Sequence, residues 1–380
     1  MARPTRARID LDALRHNFLV AKELAGSARL IAVVKANGYG HGAVPVARAL
    51  VGAADAFGVA CLEEALELRE SGISAPILLL EGVVTPDELP LVDRHRLAMV
   101  VHQREQLEWV QAARPGRPIA CWLKLDSGMH RLGLAPDAYA SAYAQLAACP
   151  AVGELVLMTH LARADEPRHP YTRQQLALCA EIWEGLAAPR SLVSSPGLIA
   201  WPEGIGDWVR PGIMLYGASP LGDGHPSAAR LRPVMTLESA LIAVRDLGPG
   251  EAIGYGGRFV CARPTRVGVV AAGYADGYPR HARDGTPVAV AGRPTRLIGR
   301  VSMDMLTVDL TELPQAQIGD RVELWGGQVS ANAVAAASDT IAYTLFTGVT
   351  GRVPLRYESA DGDAAEDCGT QHPAPPMSSG

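Results

Sequence analysis

Over roughly its first two hundred residues the chain alternates short apolar runs with amphipathic stretches. The runs LIAVV (30–34), AFGVA (56–60), PILLL (76–80), LAMVV (97–101), PIACWLKL (118–125), ELVLMTH (154–160), SLVSS (191–195) and DWVRPG (207–212) read as strands. Between them, CLEEALELRESG and YTRQQLALCAEIWEGL repeat apolar residues at spacings of three and four, the helical period. Eight strands alternating with helices predict a parallel (β/α)₈ barrel of the TIM type. An open doubly wound sheet is the alternative. No G-x-G-x-x-G follows the first strand, which weakens a dinucleotide site.

From about Arg230 the pattern changes. The segments MTLESALIAVRDL, TRVGVVAAGYADG, TPVAVAG, TRLIGRVSMDMLTVDL and DRVELWG are short, β-branched and closely punctuated by Gly and Pro, with little helical period. They predict a second, mostly β domain. The expected division is a barrel over 10–228 and a β domain over 229–359, with residues 1–9 able to pack with the latter. The tail over 360–380 is small, polar and rich in Pro and Gly, and is expected to be disordered. No internal repeat is visible.

A length of 380 residues suits two domains. A formal charge of −5 leaves no electrostatic footprint for nucleic acid or an anionic membrane. No apolar run approaches the roughly 20 residues of a membrane span. The basic N-terminus lacks the apolar stretch of a secretory signal. The six cysteines (61, 121, 149, 179, 261 and 368) are scattered without a C-x-x-C pair, so neither a metal site nor a disulfide framework is expected. A reducing cytoplasm fits best.

The lysine census is more telling. Of 35 basic residues only Lys22, Lys35 and Lys124 are lysine; the other 32 are arginine. Arginine stays protonated, whereas a lysine amine can serve as a base or form an imine. Lys22 reads as a solvated helix position. Lys35 and Lys124 fall near strand ends, as do His160, Ser195 and Arg210. The active site of such a barrel lies at those ends. Lys35 enters a glycine-rich loop, AVVKANGYGHG (32–42), which also holds Tyr39. The loop could be a phosphate nest, but it lacks the P-loop spacing. A lysine poised to bind an aldehyde cofactor fits better.

This segment resembles the pyridoxal-phosphate attachment motif of the alanine racemase family. The resemblance extends over roughly residues 5–357 through WLKLDSGMHRLG (122–133), MTHLARADE (158–166), DWVRPGIMLYG (207–217), IGYGGRF (253–259), GYADGYPR (273–280), GRVSMDM (299–305) and TIAYTLFTGVTGRVPLRY (340–357). It implies a (β/α)₈ barrel followed by a β domain. It also implies that Lys35 holds pyridoxal 5′-phosphate as an internal aldimine and then moves a proton on one face of the substrate Cα. Tyr255 would serve the opposite face, delivered by the partner subunit of a homodimer.

His160 and Arg210 match the pair that supports this tyrosine. Arg210 would also face the cofactor's ring nitrogen. A donor-only guanidinium leaves that nitrogen unprotonated, which weakens the electron sink and favours proton transfer alone. Ser195, the amides of Gly212 and Ile213, Tyr39 and Tyr343 match the phosphate cradle, with Ile213 at a helix N-terminus. Arg131 matches a residue that contacts the cofactor and the substrate carboxylate, and the Met303 amide would hold the same carboxylate. Lys124 matches a lysine that CO₂ carbamylates, which answers why two cations should sit together. Tyr274 and Arg300 match the substrate entrance. Ser194, where many members have Asn, and Thr344, where Glu is common, depart from the pattern without touching the proton-transfer pair.

The resemblance thus implies an alanine racemase activity that interconverts L- and D-alanine and supplies D-alanine for peptidoglycan. A broader amino-acid racemase, a pyridoxal-dependent decarboxylase of related fold and a cofactor carrier without turnover are the alternatives. Arg210 opposes the decarboxylase, and Tyr255 opposes the carrier.

Overall fold

The structure, a computed structural model, describes residues 3–360. The tail expected to be disordered lies, apart from Ala360, outside the described residues. The chain forms two compact units. One spans Ala13–Val234; the other joins the residues up to Asp12 to those from Met235 onward.

In the first unit eight parallel strands form a nearly closed barrel. They are Arg29–Val33, Ala56–Val59, Ile77–Leu79, Leu97–Val101, Ile119–Lys124, Val152–Met158, Arg190–Ser191 and Trp208–Val209. From the first to the seventh, each pairs with the next in the chain, and the first also pairs with the eighth, Arg29 opposite Trp208. A parallel bridge between Ser194 and Arg210 joins the seventh to the eighth. These two strands are shorter than their apolar runs predict. Ser195–Ala200 turns helical immediately after the seventh, and Pro211, which has no N–H to donate, follows the eighth. Most of the strand positions are apolar because helices cover the strands outside and side chains fill them inside.

One buried apolar cluster inside the barrel takes Ile31, Ala56, Leu78, Val100, Trp122, Val156, Met158 and Trp208 from seven of the strands. The helices between strands follow the periodicity. Leu62–Glu70, for example, buries Leu62, Ala65 and Leu68 and carries Glu63 and Glu64 in its first turn, where the helix dipole favours acid.

The second unit is mainly antiparallel. Its longest strand, Met235–Leu247, pairs with Arg6–Asp10, with Arg321–Trp325 and, through its later half, with Thr265–Val270. Two short helices, Ala331–Ala336 and Ala342–Thr347, interrupt a region read as almost wholly β. At six residues each they are too short to show a period. Alanine propensity and the Ser330 side chain, which caps Asn332 and Ala333, stabilise the first of them. No helix among the described residues is long and apolar enough to cross a membrane.

Candidate active site

Lys35 follows the first barrel strand and begins a turn that winds the wrong way. Ala36, Asn37, Gly38, Tyr39 and Gly40 all have positive φ, between 52° and 78°. A left-handed conformation costs an L-residue roughly 1–2 kcal/mol, so a run containing Ala, Asn and Tyr must be held from outside. The Glu64 carboxylate accepts the Ala36 N–H and the Ala60 N–H, each at 2.7 Å. Asn37 Oδ1 accepts the Ala43 N–H at 2.8 Å, tying the turn to the helix Ala43–Leu50. Tyr216 stacks on Tyr39 at 4.7 Å and donates its hydroxyl to the Val33 carbonyl. The amine is therefore presented by a rigid turn at the C-terminal mouth of the barrel.

Strand periodicity supplies the floor beneath it. Side chains two apart along a strand share a face. Trp122, Met158 and Trp208 belong to one buried apolar cluster, and Lys124, His160 and Arg210, each two residues further on in the chain, follow it towards the C-terminal strand ends. Arg210 is buried and donates to Ser191 Oγ at 2.5 Å, the Thr159 carbonyl at 2.7 Å and the Leu192 carbonyl at 3.3 Å. Burial pushes its pKa down to about 10, which leaves it cationic at neutral pH.

Arg210 Nη2 also lies 3.4 Å from His160 Nδ1. A guanidinium can only donate, so Nδ1 accepts and the imidazole proton sits on Nε2. Burial, then the cations Arg210, Lys124, Arg131 and Lys35, hold the His160 pKa well below its ordinary value, so the ring is neutral. Lys124 is buried at the end of its strand. Burial and the charges of Arg210, Arg131 and Lys35 push its pKa down to about 8. Four cations thus converge on one mouth, with Glu81 the carboxylate that offsets them at Lys124. That field suits a ligand with several negative charges.

Ser195 opens the helix Ser195–Ala200 and is buried, and its Oγ accepts the Gly212 N–H at 2.8 Å and the Met214 N–H at 3.3 Å. The Ile213 amide begins a 3₁₀ turn, Ile213–Tyr216, rather than an α-helix. A Cβ on Gly212 would lie 2.3 Å from the Tyr39 hydroxyl, so only glycine lets that hydroxyl reach this backbone. The Ser195 and Tyr39 hydroxyls and the Ile213 amide gather here as donors fit for an anion, with the Gly212 N–H already given to Ser195 Oγ.

The second unit carries Tyr255, Tyr274, Arg300, Met303 and Tyr343. Tyr255 is 69% exposed at the tip of a ribbon formed by Ala252–Ile253 and Phe259–Val260, between Gly254 and Gly256, both at positive φ. Arg258 ties the ribbon down through the Ala282 and Gly299 carbonyls and the Asp284 carboxylate. Met303 and Arg300 are exposed. The Tyr274 turn bonds to the Met303 loop through Tyr274 N–H to the Ser302 carbonyl and Ala275 N–H to the Met303 carbonyl, each at 3.0 Å. Asp276, fully buried, braces this turn by accepting from Arg3 twice and from the Gly273 N–H at 2.9 Å. Tyr343 lies on the helix Ala342–Thr347.

Glu64, Asn37, Ser191, Thr159, Tyr216 and Asp276 all shape these parts, and the sequence reading passed over them. Glu64 left one trace, an acid in the first turn of a helix. Asn37, Thr159 and Tyr216 act through backbone carbonyls and amides, and Ser191 and Asp276 through arginines distant in the chain, none of which a residue pattern displays.

A model of the alanine racemase N-terminal domain matches residues 9–220, and a model of its C-terminal domain matches residues 234–357. The alanine racemase of Pseudomonas syringae pv. syringae is 58% identical over 93% of this chain and 99% of its own length. The protein named "Alanine racemase, catabolic" of Pseudomonas putida is 57% identical over the same shares. The crystal structure of the biosynthetic alanine racemase from Pseudomonas aeruginosa superposes with a TM-score of 0.91 at 49% identity, covering 94% of this chain and all of that one.

Proposed function

The chain belongs to the alanine racemase family, and we propose that it interconverts L- and D-alanine by a two-base mechanism with pyridoxal 5′-phosphate. The observation that carries this reading is the cationic mouth around Lys35, where the Gly212–Tyr39 approach leaves room for donors and none for a Cβ. These residues fit the cofactor. Lys35 would bind it covalently, and Ser195, Gly212, Ile213, Tyr39 and Tyr343 would hold its phosphate. Arg210 would meet its ring nitrogen as a donor, leaving that nitrogen unprotonated. When bound, the cofactor supplies the electron sink that makes the substrate Cα–H acidic.

The remaining work falls to side chains. Arg131 and the Met303 amide would orient the substrate carboxylate, and Tyr274 and Arg300 would line the approach. Lys35 moves the proton on the face exposed in D-alanine, and Tyr255 on the face exposed in L-alanine. The neutral His160, with its proton on Nε2, is a donor suited to stabilising a tyrosinate. The exposed ribbon tip suits Tyr255 to a homodimer in which each copy completes its partner's site. At a pKa of about 8, part of the Lys124 population is neutral near physiological pH. Its nitrogen can add to CO₂ with loss of a proton, forming a carbamate anion that pairs with Arg131. We place the protein in the cytoplasm, acting without a membrane or nucleic-acid partner and supplying D-alanine for peptidoglycan.

The test is to incubate the holoenzyme with each L-amino acid in deuterated water and follow chirality and Cα exchange together. Racemisation of L-alanine with solvent deuterium at Cα is expected. Exchange with retained chirality, or preference for another amino acid, would overturn the reading.

A further inference from the structure

We propose that the N-terminal mouth of the barrel, at the opposite strand ends from Lys35, binds a small aromatic carboxylate. Barrels of this kind are normally filled with side chains along their length. Here a cavity of about 270 Å³ opens among the strand starts, because Ala56, Ala98 and Ala120 are too small to fill it. Ile31, Leu78, Trp122 and Trp208 wall it, the two indoles meeting edge to face at 5.4 Å. That volume, close to the lower bound of ligand pockets, suits one bicyclic ring, and aromatic walls favour a flat aromatic body.

The charges at the mouth decide what such a ring must carry. Arg29 is spoken for: it lies over the Trp208 ring at 3.9 Å and pairs with Glu154 at 3.4 Å. The Asp93 carboxylate accepts the Gly116 N–H at 2.7 Å. Arg96 and Arg117 line the cavity just before two neighbouring strands, are exposed, and have no ion pair or side-chain hydrogen bond among the described residues. Arg96 holds a positive φ of 51°, which is costly without a glycine, and Arg69 locks it by donating to the His95 and Arg96 carbonyls. The buried Trp208 Nε1 has no acceptor among the described residues. Two uncommitted guanidiniums above an aromatic slot match a carboxylate on a ring.

The site also has a route to the catalytic end. Trp122 and Trp208 stand two residues before Lys124 and Arg210 on the same strand faces. A ligand against the indoles presses on the layer directly beneath those two cations.

The test titrates the holoenzyme, its catalytic site saturated with alanine, with naphthoate, following heat and tryptophan fluorescence. Saturable binding is expected, weakened about tenfold by Arg96→Gln and again by Arg117→Gln, both exposed positions. Naphthamide, which has the same ring and no charge, should bind more weakly than naphthoate. Ala98→Leu should block the slot while both arginines remain, with turnover confirming that the variant folds. Three results would overturn the proposal: no saturable binding at millimolar probe, displacement of the probe by alanine, or equal affinity in the double arginine variant.

Discussion

In the barrel unit, Lys124 and Arg210 are buried and Lys35 starts a turn locked by Glu64, Asn37 and Tyr216. In the β unit, Tyr255, Arg300 and Met303 are exposed, on a ribbon tip and a loop. The contrast teaches where each half gets its precision. A cofactor cradle must hold its charges before the ligand arrives, so its parts are sunk in a packed interior and cost little reorganisation. On the homodimer reading proposed above, Tyr255 serves a site completed by a second copy, and such a group must stay on the surface with only its base anchored. Arg258, bonded to Gly299, Ala282 and Asp284, is that anchor.

The largest effects should come from removing one proton carrier from each half. Lys35→Ala and Tyr255→Phe should each be nearly inactive, and refolding them together should recover activity through heterodimers that hold one intact site. General acid–base groups contribute roughly 10²–10⁴-fold. Tyr255→Phe should still exchange the Cα hydrogen of D-alanine through Lys35, while exchange from L-alanine falls by about that factor. Equal residual exchange from both enantiomers would mean a single base and would dissolve the division of labour. Confirmed heterodimers without recovered activity would place both residues in one chain's site.

A smaller loss tests the rigidity of the barrel half. Gly212→Ala places a Cβ 2.3 Å from the Tyr39 hydroxyl, so the ring or the backbone must move. Cofactor affinity, measured by dialysis and reconstitution, should weaken by about one to two orders of magnitude, the scale of one or two charge-assisted hydrogen bonds. Tyr39→Phe in the same chain removes the clashing oxygen and should cost little more. Additive losses would show that the hydroxyl is not what the glycine accommodates.

The two halves also differ in how much of them can be read from residue order. All eight barrel strands overlap the expected runs, because a parallel strand buried on both faces is mostly apolar, although the seventh, Arg190–Ser191, meets its run only at Ser191. The strand assignment then places Lys124 and Arg210 near the strand ends, where the site of such a barrel lies. The left-handed turn at 36–40 is hidden, since nothing about Ala36 or Tyr39 announces a positive φ. The hold of Glu64 on that turn is hidden with it, being a carboxylate that reaches an amide 28 residues back in the chain. In the β unit the helices Ala331–Ala336 and Ala342–Thr347 escape notice because neither completes two turns. Tyr255 stands out there only through the IGYGG resemblance, since its surface position matches that of any turn tyrosine.

Lys124 offers an intermediate test, on the chemistry that a cation-rich floor requires. Lys124→Arg keeps the charge and cannot take up CO₂, so kcat/KM should fall by roughly tenfold and ignore bicarbonate. Labelled CO₂ should give a carbamate carbonyl resonance in the wild type that the variant lacks. The signal should strengthen as pH rises through about 8, because only the neutral amine reacts. An unlabelled wild-type protein with full activity would leave Lys124 as an unmodified cation beside Arg131.

The smallest effect on turnover, and the one that locates acid sensitivity in one half, belongs to His41. This ring is completely buried, lies 4.6 Å from Tyr216 and hydrogen-bonds the Tyr39 carbonyl at 2.9 Å through Nδ1. Burial lowers its pKa to about 4, against about 6.5 in an unfolded chain. Between those values the unfolded chain binds more protons, so stability falls as pH drops from 6.5 towards 4. His160, also held neutral, titrates in the same direction. In the β unit the one histidine among the described residues, His281, is exposed. Acid should therefore loosen the barrel first, seen as hydrogen exchange in 13–234 at a pH where the β unit is still protected. His41→Asn should flatten the fall of the thermal midpoint over that range and leave turnover at neutral pH nearly unchanged. A residual slope from His160 is expected. An unaltered slope, or earlier exchange in the β unit, would remove His41 as the acid-sensitive group.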